Sequence, residues 1–223
     1  MKQFLFTTCL LGTMALGGVA SAQTPFDLSQ PPVGLQANTF MIRARAIGVI
    51  PLDSSSSISA IGGHVDATAQ AAPEVDFSYF LTDNIAFELI AATTRHDVSA
   101  NSTALGKVDV GDVWALPPTL TVQYHFMPHS RFSPYVGAGL NVTFFYDSNP
   151  ARPTVTHVSF DNNPGAAIQA GFDYNFAGHW FANFDVKQIF VNTTAHLRTV
   201  LGPVTAKTAL NPLVIGAGIG YRF

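Results

Sequence analysis

Beyond its first two dozen residues this chain repeatedly places apolar side chains at every second position. Leu120, Val122, Tyr124 and Phe126 alternate with Thr119, Thr121, Gln123 and His125. Leu213, Ile215, Ala217, Ile219, Tyr221 and Phe223 alternate with Gly216, Gly218, Gly220 and Arg222. A period of two with unlike faces is a β-strand whose two sides meet different surroundings. Apolar residues make up 48% of the sequence and charged residues only 11%, against roughly 25% charged in ordinary soluble domains. Yet no later stretch reaches the roughly 18 consecutive apolar residues of a membrane helix. In hydrocarbon only helices and closed barrels satisfy every backbone donor and acceptor, so alternation selects a barrel. The competing reading is a secreted β-sandwich with the eighteen Phe residues in its core.

Eight such segments follow one another, at about Asn38–Val49, Ala69–Phe80, Ile85–His96, Thr119–Phe126, Val136–Phe144, Ile168–Phe176, Trp180–Phe190 and Leu213–Phe223. Their seven connections alternate long and short. Short turns lie at Leu81–Asn84, Met127–Phe132 and Ala177–His179; the long connections include Asp97–Leu116, Tyr146–Asn162 and His196–Lys207. That order matches outer-membrane barrels, with short periplasmic turns and longer outer loops. The expected fold is all-β: an eight-stranded antiparallel transmembrane β-barrel, both termini periplasmic, with four long extracellular loops.

The two ends lead to the same expectation. Lys2, an apolar run from Phe4 to Val19 and the A-x-A site Ala20-Ser21-Ala22 have the layout of a secretory signal peptide. Residues 1–22 are therefore expected to be removed, 23–37 to form a periplasmic lead-in and 38–223 to form the barrel. The one cysteine, Cys9, lies in the removed segment, so no disulfide or thiol chemistry is expected. The ending Tyr221-Arg222-Phe223 is expected to close the sheet, with Tyr221 and Phe223 forming the aromatic signal read by the barrel assembly machinery. Ten basic and fourteen acidic residues remain after Lys2, with no basic run of the kind that binds nucleic acid.

Charges on the polar strand faces keep one parity: Arg43, Arg45, Glu74, Asp76, Glu88, Asp173, Asp185, Lys187 and Arg222. An eight-stranded bore is only wide enough for side chains, and ions confined there must pair. They read as a salt-bridge plug, with a polar ion path as the alternative. Aromatic residues near strand ends read as membrane-boundary anchors. His64, His96, His157 and His196 fall on different long connections, and their spacing fixes no metal-ligand set; no metal or cofactor is expected. His125, Ser78 and Glu88 share interior parity, but no local motif sets nucleophile geometry, and no enzyme is expected.

The stretches Pro117-Pro118-Thr119-Leu120-Thr121-Val122-Gln123-Tyr124-His125-Phe126 and Pro134-Tyr135-Val136-Gly137-Ala138-Gly139-Leu140-Asn141 resemble signatures of the OmpW family of outer-membrane proteins. Asp76–Phe80 with Thr82-Asp83-Asn84, Ala91–Asp97 and Gly218–Phe223 extend the likeness along the chain, with 52–67 and 197–207 matching least. The resemblance implies an eight-stranded barrel in the Gram-negative outer membrane. It further implies a narrow hydrophobic channel that passes small hydrophobic molecules, with lateral exit into the bilayer. Outer-membrane lipids and lipopolysaccharide would be its other partners. Leu52, Ile58, Ile61, Trp114, Leu116 and Phe144 are the candidate channel lining. Pro51, Pro117 and Pro118 are the candidate gate, since proline removes ladder donors. A surface-interaction barrel without transport is the alternative.

Overall fold

A computed structural model of the chain describes residues 33–52, 55–58, 62–103, 106–199 and 202–223; residues 1–32, with the signal-peptide segment, and Ile61 lie outside them. Strand β1 (Phe40–Ile50) leads through two short strands, β2 (Ser55–Ile58) and β3 (His64–Ala67), to β4 (Gln70–Phe80). Next come β5 (Ile85–Ala92), β6 (Thr94–Thr103), β7 (Gly106–Leu116) and β8 (Thr119–His125). The second half repeats the plan with β9 (Phe132–Val142), β10 (Phe144–Pro150), β11 (Val155–Phe160) and β12 (Pro164–Ala177). It ends with β13 (Trp180–Phe190), β14 (Asn192–Thr199), β15 (Gly202–Ala209) and β16 (Leu213–Arg222).

Eight of these close an antiparallel barrel in the order β1-β16-β13-β12-β9-β8-β5-β4. The seam is an unbroken register from Met41↔Arg222 to Ile50↔Leu213, so the wall has no free edge. Outward positions are large and apolar although uncovered: Leu140 is 71% exposed and Ile219 53%. Hydrocarbon suits such a surface and water does not. Inward positions are the reverse. Arg43, Asp76, Glu88, Thr121, Gln123 and His125 are all fully buried. Gly171 gives this filling room, because a Cβ there would lie 2.6 Å from the Tyr135 hydroxyl.

Along the bore the filling changes by layers. At the short-turn end Leu35 tucks against Met41, Phe80, Ala86 and Phe181, held by a hydrogen bond from its N–H to the Pro128 carbonyl at 2.6 Å. The charged residues form the next layer. Above them Ile47, Val49, Ala92, Ala167, Ile189, Val191 and Val214 make an apolar layer.

The long connections are not irregular loops. They form two four-stranded sheets, β10-β7-β6-β3 and β11-β14-β15-β2, that continue the barrel. Val98, Val110 and Val113 of one sheet share a core with Val155, Val158, Leu197 and Val204 of the other. The 97–116 segment reads as a loop because its period is broken. Val98 pairs with Gly111 but Ser99 with Asp109, a bulge that lets Val110 and Val113 both point inwards.

The parity of the wall has a direct test. Val122 is 45% exposed in the middle of β8. Val122→Arg is expected to destabilise the barrel by about 2–4 kcal/mol, read from urea unfolding in lipid vesicles.

Candidate functional site

The charged layer is built on two arginines two residues apart on β1. Arg43 Nη1 donates to Asp76 Oδ1 at 2.8 Å, Ser78 Oγ at 2.7 Å and Glu88 Oε1 at 3.2 Å, while its Nη2 reaches Asp173 Oδ2 at 3.0 Å. Its guanidinium lies 5.9 Å from the Tyr135 ring centroid and 5.6 Å from that of Phe181. Arg45 Nε donates to Glu74 Oε1 at 2.7 Å, and its Nη2 lies 3.1 Å from Asp76 Oδ2. Gln169 donates to Glu88 at 2.8 Å and the Tyr135 hydroxyl to Asp185 at 2.9 Å. The result is a packed septum across the bore.

Directly above the septum lies a cavity with about 990 Å³ of space free of protein atoms, counted out to its open mouth. Ile47, Val49, Ile90, Ile189, Val191 and Val214 supply its walls, with Glu74 and Lys187 at the floor. Four inward rows change from polar to apolar here: Arg45 gives way to Ile47, Glu88 to Ile90, Gln169 to Ala167 and Lys187 to Ile189, while the β8 and β9 rows stay polar through Thr119 and Thr143. Five buried threonines also line it: Thr94, Thr119, Thr143, Thr193 and Thr208. Most spend their hydroxyls on the protein. Thr119 donates to the Pro117 carbonyl at 3.0 Å, Thr143 to Asn141 Oδ1 at 2.7 Å and Thr193 to the Asp161 carbonyl at 2.9 Å. Their methyl groups remain for the cavity, so threonine contributes an apolar surface here.

The wall is interrupted beside this cavity. The β4–β5 register ends at Glu74↔Ala92, and its continuation between β3 and β6 starts only at Ala67↔Val98. On the other side, the β5–β8 register ends at Ile90↔Thr119 and the β6–β7 register starts at Thr94↔Ala115. Ala91–Thr93 therefore face Leu116-Pro117-Pro118 without a ladder. Prolines at 117 and 118 bring no N–H to this stretch, and Pro73 stands at the other flank. Thr93 Oγ1 lies 2.5 Å from the Tyr146 hydroxyl at this break.

Eight of the nine expected interior charges meet in the septum. Arg222 does not: it donates to the Gly34 carbonyl at the short-turn end. The last strand delivers it below the charged layer, beside Met41. Pro51 and Pro117 line the cavity, and Pro118 adjoins it without lining it. Ile58 is buried in the core between the two upper sheets. Leu52, Leu116 and Phe144 are instead corrected to the outer surface, 44%, 37% and 42% exposed. Trp114 also has outward parity and stacks on Tyr146 with centroids 6.3 Å apart. Strand parity explains the reversal: Leu116 keeps the parity of Leu120, and Phe144 that of Val142.

Tyr221 packs between His179, Trp180 and Phe223, the last of these pointing outwards. Ser78 and Glu88 both turn to Arg43, while His125 meets Ser133 at 3.0 Å. The four histidines of the long connections are spread out, with His64 beside Asp66, His196 beside Asp161 and His96 against the Thr68 carbonyl.

Two consequences are measurable. Arg43→Met leaves Asp76, Glu88 and Asp173 without their shared cation. It should cost about 3–5 kcal/mol in urea unfolding in vesicles, the penalty for uncompensated buried charge. In the upper sheet, Arg95 donates to Asp112 at 3.1 Å and holds that carboxyl below the ordinary range. A depressed folded-state value means the clamp is complete at neutral pH and lost as pH falls through that value. Amide-exchange protection around Arg95 and Asp112 should therefore weaken as pH falls below the ordinary carboxylate range, and Arg95→Met should remove that step.

The arrangement has close parallels. A family model described as the OmpW family matches residues 36–223. An uncharacterized outer-membrane protein, y4mB, of Sinorhizobium fredii is 42% identical over 221 residues, covering 95% of each chain. Outer membrane protein W of Vibrio cholerae is 34% identical over 202 residues, covering 87% of this chain and 93% of its own. The crystal structure of the outer membrane protein OprG from Pseudomonas aeruginosa superposes with a TM-score of 0.79 at 29% identity, covering 86% of this chain and 99% of that one. The chain belongs to the OmpW family and is an integral β-barrel of the Gram-negative outer membrane.

Proposed function

We propose that this barrel is a channel for small hydrophobic molecules, which enter the cavity from the cell exterior and leave sideways into the bilayer. On this reading the long connections face outwards and both termini lie in the periplasm. The observation that carries it is an apolar cavity closed below by a septum of ion pairs and flanked by an unladdered wall. A greasy solute gains roughly 25 cal/mol for each Å² it buries in such a cavity. Passage through the septum would strip that gain, since it would have to separate buried ion pairs. The break at Ala91–Thr93 offers the lower barrier.

The route also has a physical purpose. Lipopolysaccharide presents a charged, hydrated layer to apolar solutes, and a protected cavity carries them past it. Outer-membrane lipid and lipopolysaccharide surround the wall, and the barrel assembly machinery inserts it. The protein acts as a conduit, with no catalytic step of its own.

Cells with and without the protein should differ in uptake of a hydrophobic solute and not of a polar one of similar size. Equal entry of both solutes in both strains would overturn the channel and favour a surface-interaction role. Replacing Pro117 and Pro118 together by Ala restores two N–H donors opposite Ala91–Thr93. Uptake should then fall several-fold while the barrel still assembles, as checked by its heat-dependent gel mobility.

A further inference from the structure

The cavity contains a group that a purely hydrocarbon cargo does not require. Lys187 is only 2% exposed, yet its ammonium makes no hydrogen bond among the described residues. Its nearest carboxylate oxygen, Asp185 Oδ1, is 3.6 Å away, and the other oxygen of that carboxylate accepts from Tyr135. The arginines of the septum are engaged at much closer range, Arg45 lying 2.6 Å from Glu74 and Arg43 2.8 Å from Asp76. Lys187 is also the last charge on its strand. Its register partner on β16 is Val214, and Ile189 and Val191 follow it along the same inward row. An ammonium with three donors thus ends the septum and lines the cavity.

At the upper end of the same wall, the buried Thr208 hydroxyl also lacks a partner. Thr208 pairs with Thr193, six residues above Lys187, or about 20 Å along the strand. The inward positions between them, including Ile189, Val191, Leu210 and Val214, are apolar. The site is a greasy column with one donor head at its floor and one hydroxyl at its top.

We propose that Lys187 is a head-group site, and that the favoured cargo is an apolar chain ending in a neutral oxygen acceptor, such as an alcohol, aldehyde or ester. This rests on the channel reading above and names its solute class. The ammonium can only donate, so the head must accept. The head is neutral because the septum sets five carboxylates (Glu74, Asp76, Glu88, Asp173 and Asp185) against three cations (Arg43, Arg45 and Lys187). An anionic head would meet that surplus negative charge with little water to screen it. A hydrogen bond to a buried ammonium favours the acceptor over a plain hydrocarbon by about tenfold.

The test compares retention of 1-decanol, decane and decanoate by the full chain in lipid vesicles, after subtracting protein-free vesicles. The wild type should hold decanol about tenfold better than either alternative. Lys187→Met should lower decanol to the level of decane without changing decane, and Lys187→Arg, which keeps the donors, should preserve the preference. Equal retention of decane and decanol by the wild type would overturn the head-group site and leave the channel standing. So would a preference for decanoate, or a decanol preference that survives Lys187→Met. Retention of none of the three would overturn the site and the channel together. Where Lys187→Met fails to assemble, Lys187→Leu makes the same comparison, and equal retention of decane and decanol by the wild type still overturns the site.

Discussion

Arg43 ties four strands together across the bore. It stands on β1 and binds Asp76 on β4, Glu88 on β5 and Asp173 on β12. Buried ion pairs of this kind add little net stability, because desolvation offsets their attraction. Their effect is on specificity. A one-residue slip of β1 against its neighbours would turn Arg43 and Arg45 towards lipid and Ile42 and Ala44 into the charged layer. The septum therefore fixes the register of the wall, and the same contacts close the bore. The cavity above the septum opens at its mouth and adjoins the unladdered stretch at Ala91–Thr93.

The wall was legible because each strand repeats one message. In β8 the residues Leu120, Val122 and Tyr124 point out while Thr121, Gln123 and His125 point in, and nothing along that strand contradicts the pattern. The septum could be read for the same reason, since its charges keep the inward parity. The upper sheets were hidden by their own composition. Their outer faces mix Ser, Asn, Asp and Thr with Arg95, Lys107, His196 and Arg198, their inner faces are mostly Val and Ala, and a bulge interrupts the period at Val110.

The cavity lining sits one position away from three of the expected residues. Trp114, Leu116 and Phe144 are large apolar residues at the outer strand ends, and all three carry outward parity. Parity carried upward from β8 and β9 selects Ala115, Pro117, Thr143 and Phe145 instead, all of which line the cavity. In a membrane barrel the lipid face is an apolar band with aromatic residues at its edges. Small and β-branched residues supply most of the cavity wall, with Phe145 and Phe160 the large exceptions. Arg222 departs for a different reason: its parity is inward, but its height places it beneath the charged layer, and height is not written in alternation.

Around the rest of the wall at this level, side chains and single backbone bonds supplement the ladder, the Val142 N–H reaching the Pro118 carbonyl at 3.1 Å. Asn141 donates to the carbonyls of Pro117 and Pro118 at 3.1 and 3.3 Å. Asn163 donates to the Asn192 carbonyl at 2.9 Å and Gln188 to that of Asn211 at 2.7 Å. Orphaned carbonyls in an apolar setting would otherwise cost several kcal/mol each. Proline withdraws donors from the ladder and the neighbouring amides supply them from the side. The break is thus a built feature of the folded wall, with no need for local melting to create it. Its height completes the design. Glu88 in the septum and Thr93 at the break lie five residues apart on one chain passage, about 17 Å along the strand. A short apolar chain standing on the floor at Lys187 would span much of that height, and its upper part would approach the interruption.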